Sequence, residues 1–224
     1  MTIHTEQTLD RAAIAAIIKA GGPAQLVSCE LDEADLSRLD FTGWSFDKCS
    51  LRRTNLTGSD LESTVWTGCR GAFADFRAAD LTEAKLQSCD FNNASFRAAT
   101  LSSALIRSCK MTGADYTDAK ALEVTFEETL LIDAKLPSVS FRKLTLNRLD
   151  FSRADLRKAD FRDAVLDNCS LREANVSDAK FQGADLRTTD LGGLKLQDAR
   201  AFRGAVISRE QAGLLLAELG LTVR

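Results

Sequence analysis

From Leu26 to Leu196 a large apolar residue returns at every fifth position, with no insertion and no deletion. Of the 35 positions in that series, 33 are Leu, Phe, Ile, Val, Met, Trp66 or Tyr116, and only Gly71 and Ala121 depart. Two residues before each lies a smaller set, in which 17 are Ala, six are Cys and five are Ser or Thr. Residues two apart share one side of an extended chain. Each repeat therefore supplies an inward pair, such as Ala154 with Leu156 or Ala159 with Phe161. A continuous strand would alternate with period two, and a helix would repeat near 3.6. A period of five fits a short extended pair followed by a corner, so the chain must coil with its large residues inward. A fixed period over this length marks a repeat architecture.

The two ends break the pattern. Residues 1–7 read as a flexible start, and Thr8 can cap a short helix running to about Lys19, with Ile14, Ile17 and Ile18 on one face. Gly21, Gly22 and Pro23 stop it. The open end of a solenoid exposes apolar core and unpaired strand edges, so this helix is expected to be a cap; a targeting or partner-binding helix is the alternative. After Leu196 the frame fails and a second helix is expected, with Ser208 as N-cap and Gln211 completing a capping box. Ala212, Leu215, Leu216 and Leu219 make one apolar stripe; Leu214, Ala217 and Leu221 make another, and Gly220 ends the helix. One stripe covers the last coil. Two imply a second buried surface, for which a two-fold dimer is the simplest solution, unless the last coil and the tail absorb both. The expected division is 1–23 tail and cap, 24–200 repeats, and 201–224 capping and dimerisation helix.

Irregularities interrupt the repeats. Leu39 and Trp44 are oversize at small positions, as are Val124, Val139, Leu144 and Leu149, while Ala121 is undersize at a large one, so volume is partly exchanged. Phe73 is expected to fold back over the gap at Gly71. Leu122, Leu130 and Ile132 fall at outward positions between 121 and 149. A bend or local swelling explains them, or an apolar patch used for binding.

The runs RADLRKADF, AADLTEAKLQSCDF and GADLRTTDL resemble the A(D/N)LXX pattern of the pentapeptide-repeat family. The resemblance covers about three-quarters of the chain. It implies an all-β solenoid, a right-handed quadrilateral β-helix with four pentapeptides per coil and about nine coils, with short capping helices at both ends. At ~4.8 Å per coil the repeats would extend roughly 40 Å. On a 20-residue coil, Cys29, Cys49, Cys69, Cys89 and Cys109 form one column, with Cys169 three coils further on. Their spacing permits a disulfide or metal reading. There is no CxxC and no partner histidine, because His4 is the only one. Small buried core residues are the favoured reading.

The outward positions place Asp40, Asp60 and Asp80 in one column and Asp35, Asp75, Asp115 and Asp155 in another, with Arg77, Arg97 and Arg157 in a neighbouring one. No Gly-rich phosphate loop, nucleophile–His pair or metal-spaced set occurs. No catalysis, no cofactor and no metal are expected. The start of the chain lacks the build of a signal peptide, and no apolar run approaches the ~20 residues of a membrane helix. A soluble, cytoplasmic protein is expected, with no membrane partner and no direct nucleic-acid partner.

The C-terminal helix resembles that of Qnr-type and mycobacterial fluoroquinolone-resistance pentapeptide proteins. That resemblance implies a homodimer through Ala212, Leu214, Leu215, Leu216, Leu219 and Leu221. It further implies a DNA-mimicking modulator of type II topoisomerase, DNA gyrase or topoisomerase IV. Duplex DNA carries one charge per ~1.7 Å, so ~40 Å carries roughly two dozen, whereas the net charge here is −3. The loop insertions of the Qnr type are also missing. The alternative is a rigid scaffold or effector that holds a protein partner. The candidate partner surface comprises the two aspartate columns together with Leu122, Leu130 and Ile132.

Overall fold

In a computed structural model, the structure describes residues 2–194, 199–218 and 220–222. The chain divides into two compact units, Met1–Thr125 and Phe126–Arg224, each a parallel β-solenoid.

The first unit contains β1 (Thr2–Thr5), α1 (Arg11–Ala20), β2 (Ala24–Val27), β3 (Ser45–Asp47), β4 (Val65–Thr67), β5 (Lys85–Gln87) and β6 (Leu105–Arg107). From β2 onward each strand residue pairs in parallel with the one 20 positions on, as in Leu26, Phe46, Trp66, Leu86 and Ile106. Three further columns of single bridges, beginning at Glu30, Asp35 and Asp40, keep the same stagger. Four pairing columns per twenty residues make a four-sided coil. By that stagger the repeats from Leu26 make eight full coils, and Leu186 begins a ninth; Leu196, the last large residue of the frame, lies outside the described residues.

The corners carry the cost of the fold. Two residues after each large apolar one the backbone turns left-handed, as at Ser28 (φ 52), Glu33 (φ 59) and Arg38 (φ 58). A left-handed residue with a side chain costs about 1–2 kcal/mol. The same residues donate their backbone N–H to the next coil, Ser28 to Asp47 O and Glu33 to Arg52 O at 2.8 Å, and Arg38 to Thr57 O at 3.0 Å. These corners are thus held by the coil above them. Inside, the large residues stack on their equivalents: Phe76, Phe96 and Tyr116 lie parallel at 4.8 and 4.9 Å, and Phe46 lies on Trp66 at 3.8 Å. Such pairs add about 0.5–1.5 kcal/mol beyond the area they bury.

Several expectations for this unit are corrected. Residues 2–5 are a strand paired with β2, and Thr8 bridges Glu30. The helix cap is Asp10, whose carboxylate accepts from Ala13 N at 2.9 Å. Phe73 does not fold inward. It is 52% exposed, with the Arg53 guanidinium 5.1 Å over its ring. The gap at Gly71 is filled from the next coil, because a Cβ there would lie 2.3 Å from Phe91 Cε1. Trp44 is buried with its ring edge-on to Phe41 at 5.2 Å, and Leu39 is half-buried.

The strand β7 (Thr125–Glu127) begins at the last residue of the first unit, and the second unit goes on with β8 (Thr145–Asn147), β9 (Val165–Asp167), a 3-10 turn at Ala199–Phe202 and α2 (Arg209–Glu218). Val139 and Leu149 are buried at their small positions, and Leu144 is half-buried. An aromatic ladder runs Phe141, Phe161, Phe181 and Phe202, with centroids 4.9, 4.8 and 4.6 Å apart. Phe202 shows that the solenoid outlasts the frame. Leu186 N donates to Val206 O and Val206 N to Ala184 O, both at 2.8 Å, so the last rung is offset by 21 residues instead of 20. One added residue hides the final part-coil from a five-residue count.

Candidate interaction surfaces

Many repeats carry a short polar acceptor immediately before the large residue, and this position contributes to the outer surface. Asp40 Oδ1 accepts from Thr42 N at 2.9 Å, Asp60 Oδ1 from Glu62 N at 3.1 Å and Asp80 Oδ1 from Thr82 N at 2.9 Å. The carboxylates therefore cap corners, as short polar side chains do in turns. Asn55 does the same without charge, accepting from Thr57 N at 3.0 Å.

The two aspartate columns differ in what balances them. In the first, Asp35 is paired with Arg11 at 3.7 Å, Asp75 with Arg77 at 2.6 Å and Asp115 with Arg97 at 3.4 Å. In the second unit Asp155 is paired with Arg157 at 2.7 Å. The hydrogen bond from Arg157 holds the Asp155 carboxyl below its ordinary value; hydrogen bonds from Ser37 do so for Asp35. These charges are largely cancelled where they stand. Asp40, Asp60 and Asp80 bridge one another rung by rung, and none is ion-paired among the described residues. The backbone N–H of Thr42 lowers the Asp40 pKa by stabilising the ionised form. Glu62 and Glu83 stand two and three residues beyond Asp60 and Asp80, on the same side of the coil, and Ser63 Oγ reaches Glu83 at 3.2 Å. Reading the columns alone missed these two. The signal was there in the runs DLE at 60–62 and DLTE at 80–83.

Among the apolar candidates, Leu122 in the first unit is 70% exposed; in the second, Leu130 is 37% exposed and Ile132 is half-buried. On α2 the capping box forms as expected. Ser208 N donates to Gln211 Oε1 at 2.6 Å, and Gln211 N to Ser208 Oγ at 3.1 Å. Gln211 does more than cap, since its amide nitrogen also donates to Leu186 O and Thr189 O, both at 2.6 Å. With Leu215, which is 8% exposed, it turns one side of α2 onto the last coil. Leu215 and Leu216 therefore do not share one stripe. Leu214 (55%), Leu216 (38%) and Leu221 (55%) face outward, Ala212 is half-buried, and Leu219 lies outside the described residues. Gly220, with φ 79, donates to Ala217 O and is followed by Leu221 N donating to Leu216 O, so the helix ends as expected.

All six cysteines are buried thiols without a disulfide. The described residues hold no group of three or more His, Cys, Asp or Glu placed to bind a metal ion. No described helix is long and apolar enough to cross a membrane.

The repeat model for pentapeptide repeats matches residues 24–69, 122–163 and 150–187, and a pentapeptide repeat region model matches 62–136. The chain belongs to the pentapeptide-repeat family. No curated protein matches it in sequence. Among solved pentapeptide-repeat structures, a trypsin-treated variant of QnrB1, a plasmid-mediated fluoroquinolone resistance protein, superposes with a TM-score of 0.74. The pair is 25% identical over 99% of this chain and 100% of that one. A second trypsin-treated QnrB1 variant gives 0.72 at 27% identity, over 90% of this chain and 98% of that chain. Full-length QnrB1 gives 0.73 at 24% identity, over 98% and 100%.

Proposed function

We propose that this pentapeptide-repeat protein is a cytoplasmic, non-catalytic homodimer that binds a type II topoisomerase, DNA gyrase or topoisomerase IV, in place of DNA and modulates its response to inhibitors. The observation that carries the reading is the likeness to a fluoroquinolone resistance protein over 99% of the chain. Two surfaces supply the means. Leu214, Leu216 and Leu221 leave an apolar face on α2 that a second copy would cover. Asp40, Asp60, Glu62, Asp80 and Glu83 offer carboxylates to basic groups that otherwise grip phosphates. Local arrangement matters here more than the net charge of −3, because about half of the other described aspartates are neutralised by arginines.

The test is a supercoiling and cleavage assay with purified gyrase, with and without a quinolone, across protein concentration. Inhibition of supercoiling or rescue from the drug at low micromolar protein supports the reading. No effect at tens of micromolar, with a folded dimer verified by mass, refutes it. In that case the exposed Leu122 favours a second reading, a scaffold that holds a protein partner through an apolar contact.

A further inference from the structure

Five of the buried thiols occupy consecutive rungs of one column. Their register is locked by backbone bonds of 2.8–2.9 Å, from Ser50 N to Cys29 O, Arg70 N to Cys49 O, Asp90 N to Cys69 O and Lys110 N to Cys89 O. Four of the side chains reach a carbonyl of the preceding coil, Cys29 Sγ lying 3.4 Å from His4 O, while Cys89 Sγ lies 3.3 Å from Gln87 O in its own coil. Cys49 Sγ lies 3.4 Å from Leu26 O, Cys69 Sγ 3.3 Å from Phe46 O and Cys109 Sγ 3.4 Å from Leu86 O. This column sits at a corner whose carbonyls usually take a small donor, with Leu149 the exception. Thr189 fills the same place with Oγ1 3.0 Å from Leu166 O, as Cys169 does with Sγ 3.4 Å from Leu146 O. A donor explains why Cys or Thr stands there; it does not require five thiols in a row.

In-register rungs lie ~4.8 Å apart. That is far longer than a disulfide bond of about 2.05 Å, and close to twice a metal–thiolate bond of about 2.3 Å. Side chains that point inward, across the direction of stacking, would present two sulfurs to an ion lying between them along the stack. The arrangement is linear and two-coordinate, which soft d10 ions accept and which needs no third ligand. Thiolates select such ions, Cu(I) first among the physiological ones. A bound monovalent ion leaves one negative charge on the pair of thiolates. Basic side chains outnumber acidic ones in the groove beside each pair: Arg70 and Lys110 with Asp90 beside Cys69 and Cys89, and Lys48, Arg70 and the Asp32-paired Arg52 with Glu30 beside Cys29 and Cys49.

We propose that Cys69 with Cys89, and Cys29 with Cys49, form two linear dithiolate sites for a soft monovalent cation of the Cu(I) class. Each site binds by replacing two thiol protons with one ion: two RSH and M⁺ give an RS–M–SR unit of charge −1 and two H⁺, with no change of oxidation state. Cys169 has Leu149 and Thr189 on its neighbouring rungs, so it has no partner thiol and serves as an internal control.

The experiment titrates the full chain anaerobically with Cu(I) held by a competing chelator, reading stoichiometry by native mass spectrometry, proton release by a pH indicator and ligand number by X-ray absorption. About two ions per chain are expected, each releasing two protons and each with two sulfurs as its only neighbours. The variant Cys69→Thr/Cys89→Thr keeps the corner donors and should lose one ion with an unchanged circular dichroism spectrum, while Cys169→Ser should lose none. Oxygen or nitrogen ligands, undiminished binding in the double variant, or no binding beyond the chelator would each overturn the proposal. If the double variant misfolds, the sulfur count of the wild-type protein decides alone.

Discussion

The side-chain amide of Gln211 donates to the backbone carbonyl of Leu186 at 2.6 Å, and thereby ties α2 to the last coil. Beyond Val206 the chain leaves the solenoid for α2, and a buried side chain of that helix takes carbonyls of the last coil. Replacing Gln211 with Leu leaves Thr189 O without a donor, while Leu186 O still accepts from Thr189 N at 2.9 Å, and it breaks the capping box with Ser208. A buried unsatisfied acceptor costs about 1–3 kcal/mol, and a lost cap about 1 kcal/mol. Gln211→Leu should lower the urea midpoint and expose the C-terminal segment to protease first. A midpoint matching the wild type would show that water satisfies this carbonyl equally well.

Gly71 and Phe91 are a matched pair of vacancy and filler. A Cβ at Gly71 would meet Phe91 Cε1 at 2.3 Å, where only backbone shift or ring displacement gives relief. Gly71→Ala should therefore cost about 1–3 kcal/mol by overpacking, or about 2–4 °C in melting temperature per kcal/mol. Gly71→Leu with Phe91→Leu should recover most of that loss. The two changes touch one site, so a double-mutant cycle should show strong coupling; additive losses would mean that the ring moves away freely.

The repeat, its inward pairs and the α2 capping box were legible in the sequence because each is a local rule repeated or a fixed spacing. What was not legible depends on neighbours 20 residues away. Gly71 was seen as a gap, but its filler is Phe91 on the next rung and not the nearby Phe73. The cap of α1 fell to Asp10 because Thr8 is already engaged by Glu30 on the first coil. The last part-coil was hidden by one added residue before Phe202, which a count in fives reads as an ending. The two aspartate columns looked alike until the arginines of the same and adjacent coils were placed.

Arg162 donates to Asp160 through Nε and Nη2, and this hydrogen bond holds the Asp160 carboxyl below its ordinary value of 3.8. A carboxyl depressed in the folded state stabilises the protein above its unfolded pKa, and the contribution is lost as pH falls through the folded value. Asp160→Asn keeps an acceptor for the Arg162 backbone N–H but loses the charge. The variant should be less stable than the wild type at about pH 7, and the two should converge as the pH falls below 3.8. Urea midpoints measured across this range check the sign; a gap that widens in acid would contradict the ion pair's role.

The outward leucines of α2 and the unpaired carboxylates of the first unit separate dimerisation from target binding. Leu214→Asp with Leu216→Asp places charge on exposed positions, so the coil beneath should stay folded while a dimer falls to monomer by light scattering. An unchanged mass would remove α2 from the interface. Asp40→Asn/Asp60→Asn/Asp80→Asn retains the corner acceptors, since Asn55 performs that task in the native chain. Mass and fold should be unchanged, with a small drop in melting temperature from the loss of the ionised Asp40 that Thr42 N–H stabilises, while electrostatic steering toward a basic groove should weaken by about tenfold or more. The protein concentration needed to inhibit supercoiling should rise accordingly, and the loss should shrink as salt is added. Undiminished inhibition by the triple variant would mean that gyrase is engaged by another face, and a salt-independent loss would point to a contact other than charge.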